Sequence, residues 1–374
     1  MTGRVRTESL GGSAGTYRQK FFGTLTETPV TANFRTSVCT DSVGNFPIAG
    51  ELDIDRIERS SYTPLNGIRA VGVGNYQQYD AVMPVNYRNY TPPLTVDDSD
   101  MLGLGSTLLA RTNPSRPVVS LPVFIGEIRD APRLIRLAGD SILRKGASGY
   151  LSWEFGWKPL LSDLRRIMDF EGQVNKRVSE IQRISSRGGL RRRVSLGSGS
   201  TKDTLTNVTL DGVYVQVTGT RQVENSWKTW GTVRWLPDPN VSLPTSNDKL
   251  RALARKAIFG LSADPGAISA VTWNLIPWSW LVDWFTNAGD FLEAHNNTVP
   301  AVPYNACIMK HVIAEARFTR TMTSASSWVT GGDASIVHHL KMRRLATATL
   351  AANLPFLSGR QLSILGALAI TRSR

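Results

Sequence analysis

The sequence predicts an α+β protein: a helical bundle together with a sheet-rich antiparallel β region built from the N-terminal third and from insertions between the helices. Three observations carry this. Residues 1–120 are rich in Thr, Val, Tyr, Gly and Pro and hold turn signals such as Asn66-Gly67 and Pro92-Pro93, the pattern of irregular antiparallel sheet with no place for a long helix. From residue 126 onward, apolar residues recur at helical spacing in several separate stretches. Between those stretches strand-like alternation returns. Helices interrupted in this way must still bury their apolar stripes, and one shared bundle beside one shared sheet lets them do so. With 374 residues, 41% of them hydrophobic, the chain is long enough for a sizeable core.

Residues 1–125 form the first part of the β region, and residues 126–190 supply helices of the bundle. In 127–145 the stripe is Ile128, Ala131, Leu134, Ile135, Ala138, Ile142 and Leu143, with Gly146 as the stop. A longer helix is predicted over 159–187 from Leu160, Leu164, Ile167, Met168, Val174, Val178, Ile181 and Ile184. Pro159 suits its first turn, where a missing N–H costs nothing, and Gly188-Gly189 ends it. Residues 191–245 are a β insertion whose clearest signal is a hairpin over 206–217. Asp211-Gly212 reads as its two-residue turn, so that Leu210 pairs with Val213 and Val208 with Val215 on one buried face. Residues 246–297 return to the bundle with helices over 248–261, 265–273 and 278–295. Residues 298–352 are a β segment, and 353–374 hold the C-terminal bundle helix.

The net charge is +13 and the isoelectric point is near 10.0, so the chain attracts polyanions, and nucleic acid or an anionic surface is the implied partner. The charge is uneven. Residues 1–120 carry 11 basic and 11 acidic groups, and the whole surplus lies beyond them. Cys39 and Cys307 have no CxxC partner and are too few for a disulfide framework. The first twenty residues lack a secretory apolar core, and no apolar run reaches the ~20 residues of a membrane helix. A soluble chain made in a cytoplasm, with no membrane span, is expected.

Catalytic and metal signatures are weak. Gly11-Gly12-Ser13-Ala14-Gly15 matches the GxSxG nucleophile pattern but lacks the buried strand before it and the helix after it. Gly72-Val73-Gly74 and Gly103-Leu104-Gly105 lack the rest of a dinucleotide fingerprint. His338 and His339, being adjacent, point to opposite faces of a strand and do not form a metal site. Asp283 lies in an apolar run without a second carboxylate and reads as a hydrogen-bonded structural residue. No catalytic residue, metal or cofactor is expected. Trp153, Trp157, Trp273, Trp278, Trp280 and Trp284 alternate with aliphatic residues at core spacing, whereas Trp227, Trp230 and Trp235 stand in polar strand context and read as exposed.

The basic groups cluster. Lys176, Arg177, Arg183, Arg187, Arg191, Arg192 and Arg193 are opposed only by Glu180 within their stretch, and Lys249, Arg251, Arg255 and Lys256 lie on a second helix. Arg343 and Arg344 add a third group. These are the candidate nucleic-acid-binding residues, because a nucleic acid is held first through its phosphates.

Three blocks then resemble the maturation (attachment, or A) proteins of the single-stranded RNA bacteriophages, the leviviruses. One contains Trp153, Phe155, Gly156, Trp157, Pro159 and Asp163. The second runs from Asp264-Pro265-Gly266 through Pro277, Trp280, Asp283 and Trp284 to Glu293, and the third from Leu354-Pro355-Phe356 to Arg374. The resemblance implies an elongated virion protein, one copy per particle, with its bundle in the shell and its sheet projecting outward. It further implies binding to the 3′ region of the genomic RNA, replacement of a coat-protein dimer, and attachment to a bacterial pilus through pilin for genome delivery. Some members of that family also act as lysis proteins by inhibiting a cell-wall synthesis enzyme. Outside the family, the competing reading is a cellular RNA-binding protein or nuclease.

Overall fold

A computed structural model describes residues 2–43, 49–94, 99–120, 150, 158, 169–186, 188–276, 279–350 and 359–372. Its strands are β1 (Thr2–Phe21), β2 (Thr24–Val43), β3 (Leu52–Tyr62), β4 (Leu65–Gly72), β5 (Asn75–Val82), β6 (Leu190–Asp211), β7 (Val217–Pro237), β8 (Ala301–Thr321) and β9 (Ala334–Leu345). They form a nine-stranded sheet in the order β4-β5-β1-β2-β3-β9-β8-β7-β6. The described helices are α1 (Val85–Asn89), α2 (Ser99–Thr112), α3 (Phe170–Ser185), α4 (Asn247–Phe259), α5 (Pro265–Leu275), α6 (Ser279–Val282), α7 (Ala288–Ala294) and α8 (Gly359–Arg372). None is long and apolar enough to cross a membrane.

The predicted fold class is thereby corrected: the architecture is sheet-dominated and is not a helical bundle with a sheet attached. Segments taken as short insertions are the longest elements, with β6, β7 and β8 spanning 22, 21 and 21 residues. The middle of β6, residues 200–207, is exposed throughout. Without a buried face it lacks the apolar alternation by which a strand is read, whereas the helical stripes were conspicuous. The stripe predicted over 127–145 and the start of that over 159–187 lie outside the described residues.

The chain forms two compact units, each assembled from three stretches. Unit 1 comprises Met1–Met101, Ser195–Trp230 and Cys307–Leu345, and unit 2 comprises Leu102–Val194, Gly231–Ala306 and Ala346–Arg374.

In unit 1, β1 and β2 make one long antiparallel hairpin, with Thr2 opposite Val43 and Phe21 opposite Thr24. β5 pairs with the Thr16–Lys20 end of β1, β3 with β2, and β9 with β3. The core gathers Tyr17, Val30, Leu65, Tyr79, Met83, Tyr87, Leu210, Val217, Phe318 and Ile336. At its centre is Asp211, which is fully buried. Its carboxylate accepts hydrogen bonds from the hydroxyls of Tyr17 (2.8 Å) and Tyr79 (3.0 Å) and from the backbone N–H of Val85 (3.0 Å) and Val213 (3.0 Å). Burial, reinforced by the Asp211 charge, pushes both phenols far above their ordinary range.

This arrangement changes the predicted hairpin. The connection is the five-residue stretch 212–216 rather than an Asp-Gly turn, because a carboxylate taken out of water must collect donors from several directions. Val213 and Tyr214 fold back over it, the Tyr214 N–H donating to the Tyr79 hydroxyl at 3.1 Å.

In unit 2, Val174, Val178, Ile181 and Ile184 of α3 pack with Leu250, Ala254, Ala257 and Ile258 of α4, as their spacing predicts. Phe170 stacks on Phe259 with ring centroids 5.1 Å apart. Gly260 ends α4 in the left-handed region at φ +63, where Leu261 N–H closes on the Lys256 carbonyl. Three expectations are revised here. Trp235 is buried, not exposed, because it shares the inner face of β7 with Val233 while its polar neighbour Arg234 points the other way. Helix α2 occupies part of the stretch predicted to lack a long helix; Gly105 serves packing rather than a turn, since a Cβ there would lie 2.0 Å from the Thr347 carbonyl oxygen. The helix predicted over 278–295 is instead two short ones, α6 and α7, separated by a turn at Asp283. The Asp283 carboxylate accepts from Trp273 Nε1 (3.1 Å) and Gly289 N–H (2.9 Å), so it is the hydrogen-bonded structural residue the sequence suggested, placed between α6 and α7.

Asp283, Asp290, Glu293 and Arg116 line a cavity of about 510 Å³ within unit 2. Burial pushes the Glu293 carboxyl up to about 7, against the opposing effects of the Asn296 hydrogen bond and Arg116.

Two predictions follow from these buried carboxylates. Asp211→Ala orphans four donors and is expected to cost at least about 3 kcal/mol in urea unfolding, with Tyr17→Phe costing less than half of that; an unchanged midpoint would remove Asp211 from the centre of the fold. For Glu293 the raised folded-state value means that its stabilising contribution is complete below about 4.5 and is lost as pH rises through about 7. Glu293→Gln is expected to flatten the pH dependence of unfolding across that window.

Candidate nucleic-acid interface

Two basic clefts in unit 2 collect five of the twelve described candidate residues: Lys176, Arg177, Arg191, Arg192 and Arg193. The first, of about 210 Å³, is lined by Arg111, Arg116, Gln173, Lys176, Arg177, Glu180 and Arg192. Arg177 lies on the inward face of α3 and is buried. Its guanidinium donates to the carbonyls of Pro114 and Arg116, the latter at 2.9 Å. Desolvation lowers its pKa while Glu180 opposes the shift. Glu180 faces two arginines, with its carboxylate oxygens 3.6 Å from Arg177 Nε and 2.7 Å from Arg192 Nη2. Arg192 also donates to the Thr112 carbonyl at 2.7 Å. Five cations line the cleft, with Glu180 facing Arg177 and Arg192, and Glu293 acting on Arg177 and Arg116.

The second cleft, of about 380 Å³, lies on β6, β7 and β8 and is lined by Arg191, Arg192, Arg193, Thr232, Val233, Arg234 and Asn305. Strand alternation decides which arginines it displays: Arg191 and Arg193 are exposed on one face of β6, while Arg192 is half-buried on the other. Arg192 lines both clefts. It and Arg177 are structural anchors, held by protein carbonyls and Glu180. Arg111, Arg116, Lys176, Arg191, Arg193 and Arg234 are what the walls present to a polyanion.

The remaining candidates lie elsewhere. Lys249, Arg255 and Lys256 are exposed on α4, and Arg183 is exposed on α3. Arg251 is bound to Glu171 at 2.8 Å. Arg343 donates to the Gly50 carbonyl at 2.6 Å and Arg344 pairs with Asp53 at 2.7 Å, so both serve unit 1 and neither joins the clefts. Arg187, Trp153, Phe155, Gly156, Trp157, Pro159, Asp163, Pro277 and Trp278 lie outside the described residues, as does the Trp280 side chain. Trp284 is half-buried. Sequence reasoning missed Arg111, Arg116 and Arg234. Arg111 closes the unforeseen α2, and Arg116 and Arg234 are isolated in sequence, so only the fold gathers them.

The chemistry available is anion binding. Ser13 sits inside β1 opposite Thr31, and Gly15 is held at φ +101 against Ala81, so no strand-to-helix elbow is formed. His338 is turned inward to Asp55 and the Pro92 carbonyl, both at 2.8 Å. Among the described residues no group of three or more His, Cys, Asp or Glu can hold a metal ion.

Comparison with known proteins adds the family. "Maturation protein A2" of Qbeta virus (strain MX1) is 25% identical over 150 residues, which is 38% of this chain and 31% of that protein. "Maturation protein A2" of Enterobacteria phage SP is 27% identical over 146 residues, 38% of this chain and 28% of that protein. The aligned stretch therefore spans under a third of either relative. The family model for phage maturation proteins matches residues 121–337, which include Lys176, the Arg191-Arg192-Arg193 run and Arg234. That match covers more than half of the residues, and the chain belongs to the phage maturation protein family.

Proposed function

We propose that this protein is a virion component that grips the 3′ region of the phage genomic RNA through the two basic clefts of unit 2, takes the place of a coat-protein dimer in the shell, and attaches the particle to a bacterial pilus through unit 1. It acts by binding and not by catalysis. The observation that carries the RNA reading is the convergence of Arg111, Arg116, Lys176, Arg191, Arg193 and Arg234 on clefts that share Arg192. Arginine forks suit phosphate oxygens, and a row of them suits a flexible single strand better than a small ligand.

The attachment reading is supported by two adjacent hairpin tips in unit 1. Phe22 is 94% exposed and Val73 fully so, and the Phe22 N–H donates to Asn75 Oδ1 at 2.9 Å, tying one tip to the other. Phe22 holds φ +48 and Gly23 φ +81, the two positive values of a primed turn. An exposed aromatic residue kept in that costly conformation is expected at a contact surface rather than at an idle turn.

Arg191→Gln with Arg193→Gln tests the RNA site. Each lost phosphate contact on a single strand reduces the salt slope by ~0.7, so the double variant should flatten it by ~1.4 and weaken binding to the genomic 3′ region. Equal slopes and affinities would move the RNA site elsewhere. Phe22→Ser with Val73→Ser should lower adsorption of particles to piliated cells and leave RNA affinity unchanged; undiminished adsorption would remove the tips from the attachment surface.

A further inference from the structure

On the sheet of unit 1, His311 faces Lys341 across the β8–β9 ladder, and His339 faces Ile313 on one side and Arg56 of β3 on the other. Strand partners share a face, so these residues stand together on the side opposite His338. His311 Nε2 and His339 Nδ1 are 3.3 Å apart, and the rings stack with centroids 5.5 Å apart and planes 29° from parallel. Both imidazoles are half-buried, and Lys228 and Lys341 beside them are exposed.

The charges facing this pair are lopsided. Lys228 of β7 and Lys341 of β9 act on His311, and Lys341, Arg56 and His338 act on His339. Glu58 of β3 is the opposing acid at His339, and it is already shared by Arg56 and Arg35. Glu315, further along the same face of β8, is held by Arg317 at 2.7 Å and by Ser335 at 3.2 Å. Desolvation first, and then these cations, keep both rings below the ordinary histidine range. When both protonate they cannot share a hydrogen bond. Two N–H donors then point into one space beside two lysines, where Glu58 acts on His339 but is shared with Arg56 and Arg35.

We propose that His311, His339, Lys228 and Lys341 form a phosphate-binding site on the outward face of unit 1, filled as the two imidazoles take up protons. The doubly protonated pair offers two charged donors to phosphate oxygens, and the lysines supply the balancing charge. No described histidine lines the RNA clefts of unit 2. Linkage makes it reciprocal: whatever factor protonation adds to anion affinity, the anion adds to protonation.

The test is calorimetric titration of the full-length protein with inorganic pyrophosphate at pH 5.5 and pH 8.0 at matched ionic strength, with histidine ring NMR in parallel. Affinity is expected to be at least about tenfold higher at the acidic pH, with pyrophosphate raising the titration midpoints of His311 and His339 and leaving that of His295 unmoved. His339→Gln should abolish the pH dependence. A short oligoribonucleotide, measured in the Arg191→Gln, Arg193→Gln background, distinguishes a phosphodiester from a free phosphate as the preferred source. Pyrophosphate affinity equal at both pH values, or wild-type histidine midpoints that do not move with pyrophosphate, would overturn the proposal.

Discussion

A carboxylate with no exposure to water is tolerated only where its oxygens are fully engaged, and Asp211 meets that condition by drawing on four separate parts of unit 1. Tyr17 comes from β1, Tyr79 from β5, Val85 from the start of α1 and Val213 from the loop after β6. Tyr17, the Tyr79–Val85 stretch and Asp211 with its own loop are far apart in sequence, so the carboxylate fixes tertiary relations that backbone pairing alone leaves open. It holds the end of β6 against the β1–β5 ladder and sets the path of the loop over Tyr79. It also orients three tyrosine rings, since Tyr17, Tyr79 and Tyr214 pack edge to face within 5.4–5.7 Å of one another. The same β1–β5 pairing carries Lys20 to Tyr76 and so brings the Phe22 and Val73 tips together.

Unit 2 uses the same constraint with the sign reversed. Arg177 is a buried cation, and the carbonyls of Pro114 and Arg116 together with Glu180 satisfy it. Because those carbonyls belong to the loop after α2, burying Arg177 sets the course of that loop and hence the position of Arg116. Glu180 then reaches Arg192 and ties the start of β6 to α3. The cations displayed on the cleft walls are therefore held in place by two that are not displayed. On the proposed reading, removing Arg177 or Arg192 would disturb RNA binding through the fold, whereas removing Arg191 or Arg193 would take away groups placed to meet the phosphates.

How much of this was legible follows from what each residue reports about itself. The stripes of α3 and α4 were readable because burial on a helix repeats at a fixed period, and Gly260 marked an end that the backbone needed. Arg177 was not, since a long cationic side chain at the edge of an apolar stripe reads the same whether it snorkels outward or turns in to bond carbonyls. Trp235 misled because its stretch of strand carries polar residues such as Arg234, although in a strand that neighbour occupies the other face. Asp211-Gly212 carried a strong local turn signal that lost to four tertiary hydrogen bonds. The basic run 191–193 was visible as charge, but its division into two displayed arginines and one anchor required knowing that it is a strand and not a helix exit.

The distribution of charge separates two modes of recognition. In unit 1 most described arginines of the N-terminal strands are answered locally: Arg4 and Arg6 by Asp41, Arg18 by Glu27 and Asp80, Arg35 by Glu8 and Glu58, and Arg56 by Glu58. Exposed pairs of this kind add only ~0–1 kcal/mol each to stability, but they cancel the field beyond about a Debye length, ~8–10 Å. A surface neutralised in this way does not draw a charged partner from a distance, so recognition there depends on contact at places such as the Phe22 tip. The clefts of unit 2, lined by arginines and Lys176, are where the proposed RNA reading puts attraction of a polyanion before contact. The proposed His311–His339 site is conditional: Lys228 and Lys341 stand beside it, and each proton the imidazoles take up adds to their charge.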